Sequence, residues 1–236
     1  MKKLLTSFSS IVIFTLAACA PQMAAPVELN TIAPTPTQAV ATIPATTVNP
    51  DPASNFKSYT NSQFGLGFQF PGNWYGPDEY ISDSVLRVAV GSDVVYPYGE
   101  APDQPSNVTN SYLVVLQYSR NDQNTYWKDN YQALTNLQDG ESFSDGRGLI
   151  IRMREIQLGR FKGFEYIATL SDNAQTEASY SREVILVDDQ ANLITISGRP
   201  NNVEVPLDTE WRDVYKTIDE QNVIYFHQIV DSITVQ

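Results

Sequence analysis

The chain has 236 residues, 15 of them basic and 27 acidic, so its formal net charge at pH 7 is -12. A negative charge of this size disfavours ligands that are reached through rows of phosphate groups, and we therefore expect no nucleic acid partner. The chain holds one cysteine and one histidine. An internal disulfide is thus excluded, and neither a zinc site nor a cofactor is predicted. Calcium, which needs only oxygen ligands, is left open.

The first 18 residues have the pattern of a bacterial secretory signal peptide. Two lysines follow Met1, residues 4–16 are mainly apolar, and small residues lead up to Ala18. The apolar stretch is about a dozen residues long, whereas a helix needs about 20 to cross a bilayer. We predict a cut after Ala18 rather than a transmembrane anchor.

The stretch "LAAC", residues 16–19, resembles the lipobox of bacterial lipoproteins. In that family the motif implies a diacylglyceryl group on the cysteine sulfur, cleavage before the cysteine, and usually acylation of the new amino group. One acyl chain binds a membrane only marginally, but two or three, at about 0.8 kcal/mol per buried methylene, anchor a protein stably. Cys19 is therefore the predicted lipid attachment site, on the extracytoplasmic side of a membrane of the bacterial cell envelope. A free cysteine in a core, the alternative, fits poorly with its apolar and proline-rich flanks.

Residues 19–55 are predicted to be a disordered tether. The segment from Ala20 to Asn55 contains half of the 14 prolines, many Ala and Thr, two charged residues and no aromatic residue. Such a composition cannot bury enough surface to offset the entropy lost on ordering. We expect a spacer between about 35 Å and about 110 Å long, which holds the domain off the membrane. A proline-rich ligand at "APTPT" for another protein is the less favoured alternative.

Residues 56–236 hold most of the aromatic and β-branched residues and are predicted to form a single globular domain. "YTNSQFGLGFQFPGNW" predicts a strand, a tight turn at Asn61-Ser62, a second strand, and a stop at Pro71-Gly72, because proline cannot donate to a β-ladder. Alternate positions around the second strand are apolar, which places one face against a core: Phe64, Leu66, Phe68 and Phe70.

Further strands are predicted at residues 81–90, 111–119, 149–158, 163–170, 178–187 and 192–197. The stretches "SYLVVLQYS" and "REVILV" are apolar at successive positions, which indicates a sheet covered on both faces. Short turns join the last four strands. Turns of that length produce antiparallel hairpins, since a parallel crossover needs a dozen or more residues.

Two segments have helical periodicity. In "NTYWKDNYQALTNLQD" four apolar residues follow the spacing of one helical face: Trp127, Tyr131, Leu134 and Leu137. Near the end, Asp208 is the predicted N-cap of an apolar stripe that begins at Trp211, and a second stripe runs from Val223 to Ile233. The sequence leaves open whether these stripes form one bent helix or two, with "DEQN" as the place for a break.

Two stretches, "FGLGFQFPGNW" and "FHQIVDSITV", resemble the opening strand-proline-tryptophan segment and the closing helix-serine-strand segment of PsbP-like domains. That family is named for an extrinsic subunit of photosystem II. The resemblance spans nearly all of residues 56–236 and implies an α+β fold, an α/β/α sandwich in which helices flank an antiparallel β-sheet. The matching residues are structural in the family and none is catalytic, so no site is carried over: Phe70, Pro71, Trp74, Ile229, Ser232 and Ile233.

No stretch identifies a catalytic reaction. His227 lies close to Asp231 and Ser232, but nothing resembles a nucleophile elbow, and a helix-edge histidine is favoured over a catalytic triad. "DGESFSDG", residues 139–146, groups three acidic residues, yet its spacing does not match a calcium loop, and a solvated acidic turn is favoured. Carboxylate pairs for glycoside hydrolysis depend on the fold for their separation. The protein is predicted not to be an enzyme.

The loop at residues 93–110 is the most suggestive segment for binding. Loops longer than about 12–15 residues within a domain are uncommon and often functional. Tyr96 and Tyr98 flank Pro97, and exposed tyrosines offer a large contact area with little rotamer entropy to lose. We predict that these two tyrosines contact a partner or a glycan. The alternative is that both rings cover a sheet edge.

Together these features predict a lipid-anchored, extracytoplasmic protein that binds an unknown envelope protein or small ligand without catalysis. Two alternatives stay open: an envelope hydrolase that uses carboxylates, and an accessory subunit of a photosynthetic or respiratory membrane complex. A hydrolase is expected to have a cleft with converging polar groups and carboxyl groups with shifted pKa values, whereas a binding protein needs only a shallow patch.

Overall fold

The computed structural model describes residues 55–99, 108–122, 126–144, 148–170 and 179–236. All of them belong to the unit Asp51–Gln236. The predicted signal peptide, Cys19 and the tether up to residue 54 lie outside the described residues, as does the part of the 93–110 loop from residue 100 to residue 107.

Eleven strands and two helices make up the described part of the chain. In chain order they are β1 (Phe56–Asn61), β2 (Leu66–Pro71), β3 (Tyr75–Ile81), β4 (Val85–Gly91), β5 (Ser111–Ser119), α1 (Tyr126–Thr135), β6 (Ser142–Ser144), β7 (Gly148–Leu158), β8 (Phe161–Leu170), β9 (Ser179–Val187), β10 (Leu193–Asn201), α2 (Trp211–Asp231) and β11 (Thr234–Val235).

Eight strands form the larger sheet, which is antiparallel throughout and has the order β3-β4-β5-β10-β9-β8-β7-β6. The other three strands form a small antiparallel sheet in the order β1-β2-β11. The pairing of β7 with β8, β8 with β9 and β9 with β10 confirms the antiparallel hairpins predicted from the short turns. The predicted strands between residues 81 and 197 are all present, with ends shifted by a few residues.

Strand β3 was not predicted from the sequence. Its residues, "YGPDEYI", include a glycine, a proline and two acids, and they lack apolar alternation. The strand lies at the edge of the larger sheet, where proline is tolerated because one row of backbone groups faces away from the sheet. An edge strand can therefore form without the pattern that identifies central strands.

Helix α2 is continuous over 21 residues, so the two apolar stripes belong to a single helix. The predicted cap is wrong: Glu210 is the N-cap residue and makes no side-chain capping hydrogen bond, while Asp208 has a φ of 64°. At the other end, the backbone N–H of Ser232 donates to the carbonyls of Gln228 and Ile229. Neither described helix combines the length and the apolar character that crossing a membrane requires.

The predicted α+β fold, an α/β/α sandwich with helices on both faces of an antiparallel sheet, is wrong. The described residues form a β-rich fold with two sheets and only two helices. One face of the larger sheet is covered by α2 together with the small sheet, so the small sheet replaces part of the predicted helix layer. On the opposite face the ten-residue α1 packs on β8, and Leu113 and Val115 of β5 are only half-buried.

The main hydrophobic core lies between α2, the small sheet and one face of the larger sheet. The alternating residues of the first hairpin all lie in this core, as predicted: Phe64, Leu66, Phe68 and Phe70. Gly198 of β10 allows α2 to approach closely, because a Cβ there would lie 2.5 Å from the ring of Phe226. A smaller cluster lies beneath α1 and contains Leu134, Ile150, Phe164, Ile185 and Leu193.

Candidate functional site

A groove of about 410 Å³ lies between α1 and the turns that join β7 to β8 and β9 to β10. Ligand sites in proteins have volumes of about 300–1,000 Å³, so this groove is large enough for a small ligand. We call it the α1 groove, and its main lining residues are Trp127, Lys128, Tyr131, Arg160, Lys162 and Asp188.

Contacts at the C-terminal end of α1 hold the helix beside this groove. Leu134 is fully buried in the cluster beneath the helix. Nη1 of Arg152 on β7 donates to the carbonyl of Leu134, in the last turn of α1, at 3.0 Å and to the carbonyl of Leu137, two residues beyond the helix, at 2.6 Å. The same guanidinium lies 4.5 Å from the centre of the Phe164 ring. These contacts hold the C-terminal end of α1 against the larger sheet, beside the groove.

Two aromatic rings from successive turns of α1 form the apolar part of the groove. The rings of Trp127 and Tyr131 have centres 6.0 Å apart and are perpendicular, with an interplanar angle of 89°. Tyr131 also packs against Phe164, and its hydroxyl donates to the carbonyl of Lys162 at 3.4 Å. The indole N–H of Trp127 is buried and has no acceptor among the described residues. Buried polar groups without a protein partner are uncommon and point to water or a ligand.

The turn between β9 and β10 supplies the charged wall of the groove. One oxygen of Asp188 accepts from the N–H groups of Gln190 and Asn192, both at 2.9 Å, which closes the turn. The other oxygen accepts from Asn192 Nδ2 at 2.7 Å and from Arg160 Nε at 2.8 Å. Burial opposes ionisation of Asp188, but the hydrogen bonds from Asn192 and Arg160 outweigh it, so its pKa lies below the usual value. Asp188 therefore stays ionised and holds Arg160 at the rim.

A second groove, of about 430 Å³, lies on the other side of Arg160. We call it the arginine groove, and its main lining residues are Phe64, Tyr118, Arg120, Arg160, Gln190 and Asn192. The guanidinium of Arg120 lies 4.2 Å from the centre of the Phe64 ring and donates to the carbonyl of Gln63. Nη2 of Arg160 donates to the Tyr118 hydroxyl at 3.4 Å. Arg160 thus belongs to both grooves.

The charge of the two grooves is opposite to that of the chain. Among the described residues, two acidic side chains line them, Asp188 and Asp189, against four basic ones: Arg120, Lys128, Arg160 and Lys162. The whole chain has 27 acidic and 15 basic residues. Clefts lined mainly by one sign of charge concentrate the field and attract ions of the other sign. The grooves therefore form a positive region on an acidic protein.

A carboxyl group with a raised pKa lies outside both grooves. Glu183 of β9 accepts a hydrogen bond from the hydroxyl of Ser197 at 2.8 Å, on the face of the larger sheet where α1 packs. Glu183 is half-buried, and the loss of water around its carboxyl group raises its pKa to about 7. A serine beside such a carboxyl is one component of a hydrolytic site. Neither Glu183 nor Ser197 lines the α1 groove or the arginine groove.

The structure places His227 in an ionic network between α2 and the larger sheet. Its Nε2 atom lies 2.9 Å from Oε1 of Glu165. Glu165 also accepts from Arg182 at 2.7 Å and from Arg154 at 2.6 Å, and Arg182 donates to Asp219 of α2 at 2.6 Å. Burial opposes ionisation of Glu165, but the hydrogen bonds from His227, Arg154 and Arg182 outweigh it and lower the pKa to about 2. The network joins two layers of the fold.

Asp231 and Ser232 do not join His227 in a triad. Oγ of Ser232 donates to the carbonyl of Ile229 and accepts from the backbone N–H of Gln69, both at 2.8 Å. Asp231 lies 3.6 Å from Arg154. Both residues therefore make contacts at the C-terminal end of α2 and at the adjoining strands.

Tyr98 covers the sheet edge with one side of its ring. Its centre lies 4.9 Å from the ring of Tyr80 on β3 and 4.7 Å from the guanidinium of Arg87 on β4. Tyr98 nevertheless keeps 57% of its surface exposed. Tyr96 is half-buried and has a contact of its own. The role of Tyr96 and Tyr98 in binding a partner stays a prediction.

The acidic turn at residues 139–146 uses its carboxylates in protein contacts. Asp139 pairs with Arg152 at 2.9 Å, and Glu141 accepts from the backbone N–H of Gln138 at 2.7 Å. Asp145 lies outside the described residues. In the part of the chain that the structure describes, no group of three or more His, Cys, Asp or Glu side chains could hold a metal ion.

The sequence analysis missed both grooves. It placed Trp127 and Tyr131 on one apolar helical face with Leu134, yet only Leu134 is fully buried. One signal for the α1 groove was available in the sequence. Lys128 and Gln132 directly follow the two aromatic residues, and such polar neighbours are more typical of a solvent-exposed helix face than of a core. The pairing of Arg160 with Asp188 had no local signal.

Comparisons with known proteins add little to this description. No protein-family model matches the chain, and no curated protein matches it. A crystal structure of a protein from Bacteroides thetaiotaomicron matches with a TM-score of 0.33 and 10% sequence identity. The match covers 76% of this chain and 48% of the other, so it spans about half the length of that protein. Similarity at this level identifies neither a family nor a function.

Proposed function

We propose that this protein is a lipid-anchored, extracytoplasmic binding protein of the bacterial cell envelope. The observation that carries the proposal is the single cysteine, which directly follows Leu16-Ala17-Ala18 and an apolar run behind two lysines. Two or three fatty chains on Cys19 provide enough buried methylenes for stable attachment to a membrane.

The composition after Cys19 supports the same proposal. Residues 20–55 are rich in proline, alanine and threonine and contain no aromatic residue. A segment of this kind extends rather than packs, so it separates the anchor from the domain. The domain then binds its ligand at a distance from the lipid surface, where anionic headgroups do not repel the negatively charged domain.

The α1 groove supports binding as the activity of the domain. It combines two aromatic rings, Trp127 and Tyr131, with charged side chains at the rim. Small-molecule sites have this composition, because apolar walls provide affinity and a few polar groups fix the orientation of the ligand. We therefore propose the α1 groove as the ligand site of the domain.

Labelling with a fatty acid tests the anchor. Cells that express the full chain are given an alkyne-labelled fatty acid, and we expect label on the wild-type protein and a mature N-terminus at Cys19. The variant Cys19→Ser should take up no label, because its hydroxyl is not a substrate for lipid transfer. Ala20→Ser is the matched control and should behave as wild type. Labelled Cys19→Ser, or unlabelled wild-type protein, would contradict the proposal.

A further inference from the structure

The two grooves on either side of Arg160 differ in chemistry: the α1 groove contains two aromatic rings, and the arginine groove contains two guanidinium groups. We propose that the α1 groove and the arginine groove together bind an acidic saccharide, with a sugar ring against Trp127 and Tyr131 and the carboxylate or phosphate of the sugar at Arg120 and Arg160. This inference rests on the proposed function, which takes the α1 groove as the ligand site.

The aromatic pair fits the ring of a sugar. A sugar ring has apolar C–H faces and a rim of hydroxyl groups, so it packs against an aromatic face while its edge forms hydrogen bonds. Trp127 and Tyr131 pack edge to face on each other and both are only half-buried, so each ring leaves part of its surface open to the groove. Lys128, Gln132 and Asp189 line the same groove and provide donors and acceptors for hydroxyl groups.

Arg120 fits the acidic group of the ligand. It forms no ion pair with any described residue, so no residue in the described part of the chain neutralises its charge. Stacking on Phe64 at 4.2 Å holds the planar guanidinium in one orientation, which reduces the entropy lost when it binds an anion. A guanidinium presents paired N–H groups that match a carboxylate or phosphate.

Arg160 connects the two halves of the site. Asp188 holds its Nε atom at 2.8 Å, whereas among the described residues its Nη atoms make only long contacts of 3.4 Å, to the Tyr118 hydroxyl and to the main-chain oxygen of Gln236. The Nη groups therefore keep donor capacity for a ligand. Arg160 lines both grooves, so a ligand that occupies both of them contacts this residue.

Other ligand classes use only part of this surface. A neutral saccharide has no group for Arg120, and an inorganic anion has no face for Trp127 or Tyr131. An acidic saccharide uses both the rings and the arginines, and the local excess of positive charge favours it on a chain that otherwise repels anions.

Calorimetry with three probes tests the inference on the mature lipoprotein in detergent micelles. The probes are trigalacturonate, its neutral counterpart galactotriose, and sodium phosphate. We expect trigalacturonate to bind at least about tenfold more tightly than galactotriose at low salt, which is the contribution of one charge-assisted contact. Added sodium chloride should reduce this preference, because the arginines at the rim are exposed.

Variants assign the preference to residues. Arg120→Gln should lower the affinity for trigalacturonate about tenfold and leave that for galactotriose unchanged, whereas Trp127→Ala should weaken both sugars about tenfold. Arg199→Gln changes an exposed arginine of β10 outside both grooves and serves as the control. Lys162→Gln is a second variant in the α1 groove. It changes only an exposed side chain, so it tests the groove without disturbing the fold. Circular dichroism confirms that each variant is folded.

Three results would overturn the inference: equal affinity for the two sugars, binding of phosphate alone, or binding of neither sugar. If both sugars bind with equal affinity and Trp127→Ala abolishes the binding of both, the α1 groove remains the ligand site and only the preference for an acidic saccharide is rejected. Loss of the lipid anchor in the labelling experiment would instead overturn the proposed function, whatever the sugars do.

Discussion

Glu183 shows how one side chain of this fold sets a dependence of stability on pH. Burial raises its pKa to about 7, and hydrogen bonds from Ser181 and Ser197 and the charge of Arg199 lower it by less. The usual value is 4.5. Between these two pH values the folded protein holds a proton that the unfolded chain has lost. The contribution of Glu183 to the free energy of unfolding is therefore complete below pH 4.5 and lost as the pH rises through about 7.

Replacing this carboxyl tests the shift. We expect the wild-type protein to lose roughly 1–3 kcal/mol of unfolding free energy between pH 5 and pH 8 relative to Glu183→Gln, which has no proton to lose. Urea unfolding at the two pH values measures the difference. Glu204→Gln alters an exposed glutamate and should keep the wild-type dependence. If wild type and Glu183→Gln lose stability equally, Glu183 is already ionised at pH 5.

Single residues were also where the sequence was least informative. His227 and Glu165 are 62 positions apart and Arg160 and Asp188 are 28 apart. Each pair meets only because hairpin registers and the position of α2 bring its members together. Trp127 was recognisable as part of an aromatic helix face, since its neighbour at the next turn is local. Long-range pairs of this kind have no signal in one sequence.

Helix α1 is an element that depends on its contacts for stability. It has ten residues, and isolated helices shorter than about 12–15 residues are marginal in water. Arg152 donates to one carbonyl in its last turn and to another two residues beyond its end, and only 12% of the Arg152 side chain is exposed. Arg152 therefore stabilises the wall of the α1 groove from outside the helix.

Removing this guanidinium should loosen α1. We expect Arg152→Met to lower the free energy of unfolding by about 1–3 kcal/mol, because carbonyl groups of a helix end lose a charged donor. Hydrogen exchange should increase most in residues 126–137. Arg212→Met alters a partly exposed arginine at the start of α2 and should leave exchange in α1 unchanged. Exchange that rises equally throughout the domain, or not at all in α1, would show that Arg152 does not hold this helix.

At the scale of elements, local sequence patterns predicted the central strands but not the edge strand or the helix cap. The strands β7 to β10 were predictable because apolar runs and short turns both act within a few residues. The edge strand β3 lacked such a pattern, since only one of its sides is paired. The predicted N-cap of α2 was wrong for a different reason. Asp208 is a good capping residue, but its backbone adopts a φ of 64° and the helix begins later.

At the scale of the whole domain, the apolar strands of the larger sheet indicated burial but not what buries them. A strand with apolar residues on both faces is covered equally well by helices or by a second sheet. Here β11 returns from the end of the chain to pair with β2, so that three strands and α2 share one face. That pairing joins residues more than 160 positions apart, as between Gly67 and Thr234, which no local pattern can predict.

The layers of the domain are also joined by charge. Arg182 of β9 contacts Glu165 of β8 and Asp219 of α2, and the three side chains are almost fully buried. Burying charges is costly unless each is paired, so the network is sensitive to the loss of one member. Arg182 is the only described cation that contacts both carboxylates.

Removing Arg182 should therefore weaken the contact between α2 and the sheet. We expect Arg182→Met to lower the free energy of unfolding by about 3–5 kcal/mol at pH 7, because two buried carboxylates lose their shared partner. Urea unfolding measures the loss, and Arg199→Met, an exposed arginine on the other face of the sheet, should cost less than about 1 kcal/mol. A similar cost for both variants would mean that Arg182 does not join the layers.

The same variant should change unfolding by acid. The pKa of Glu165 is lowered to about 2, so its stabilising contribution is complete above 4.5, its usual value, and is lost as the pH falls through about 2. In Arg182→Met one of the three hydrogen bonds that lower this pKa is missing, so the pKa rises toward its usual value. The midpoint of acid unfolding should therefore move to higher pH, as followed by tryptophan fluorescence. An unchanged midpoint would place the acid sensitivity of the domain outside this network.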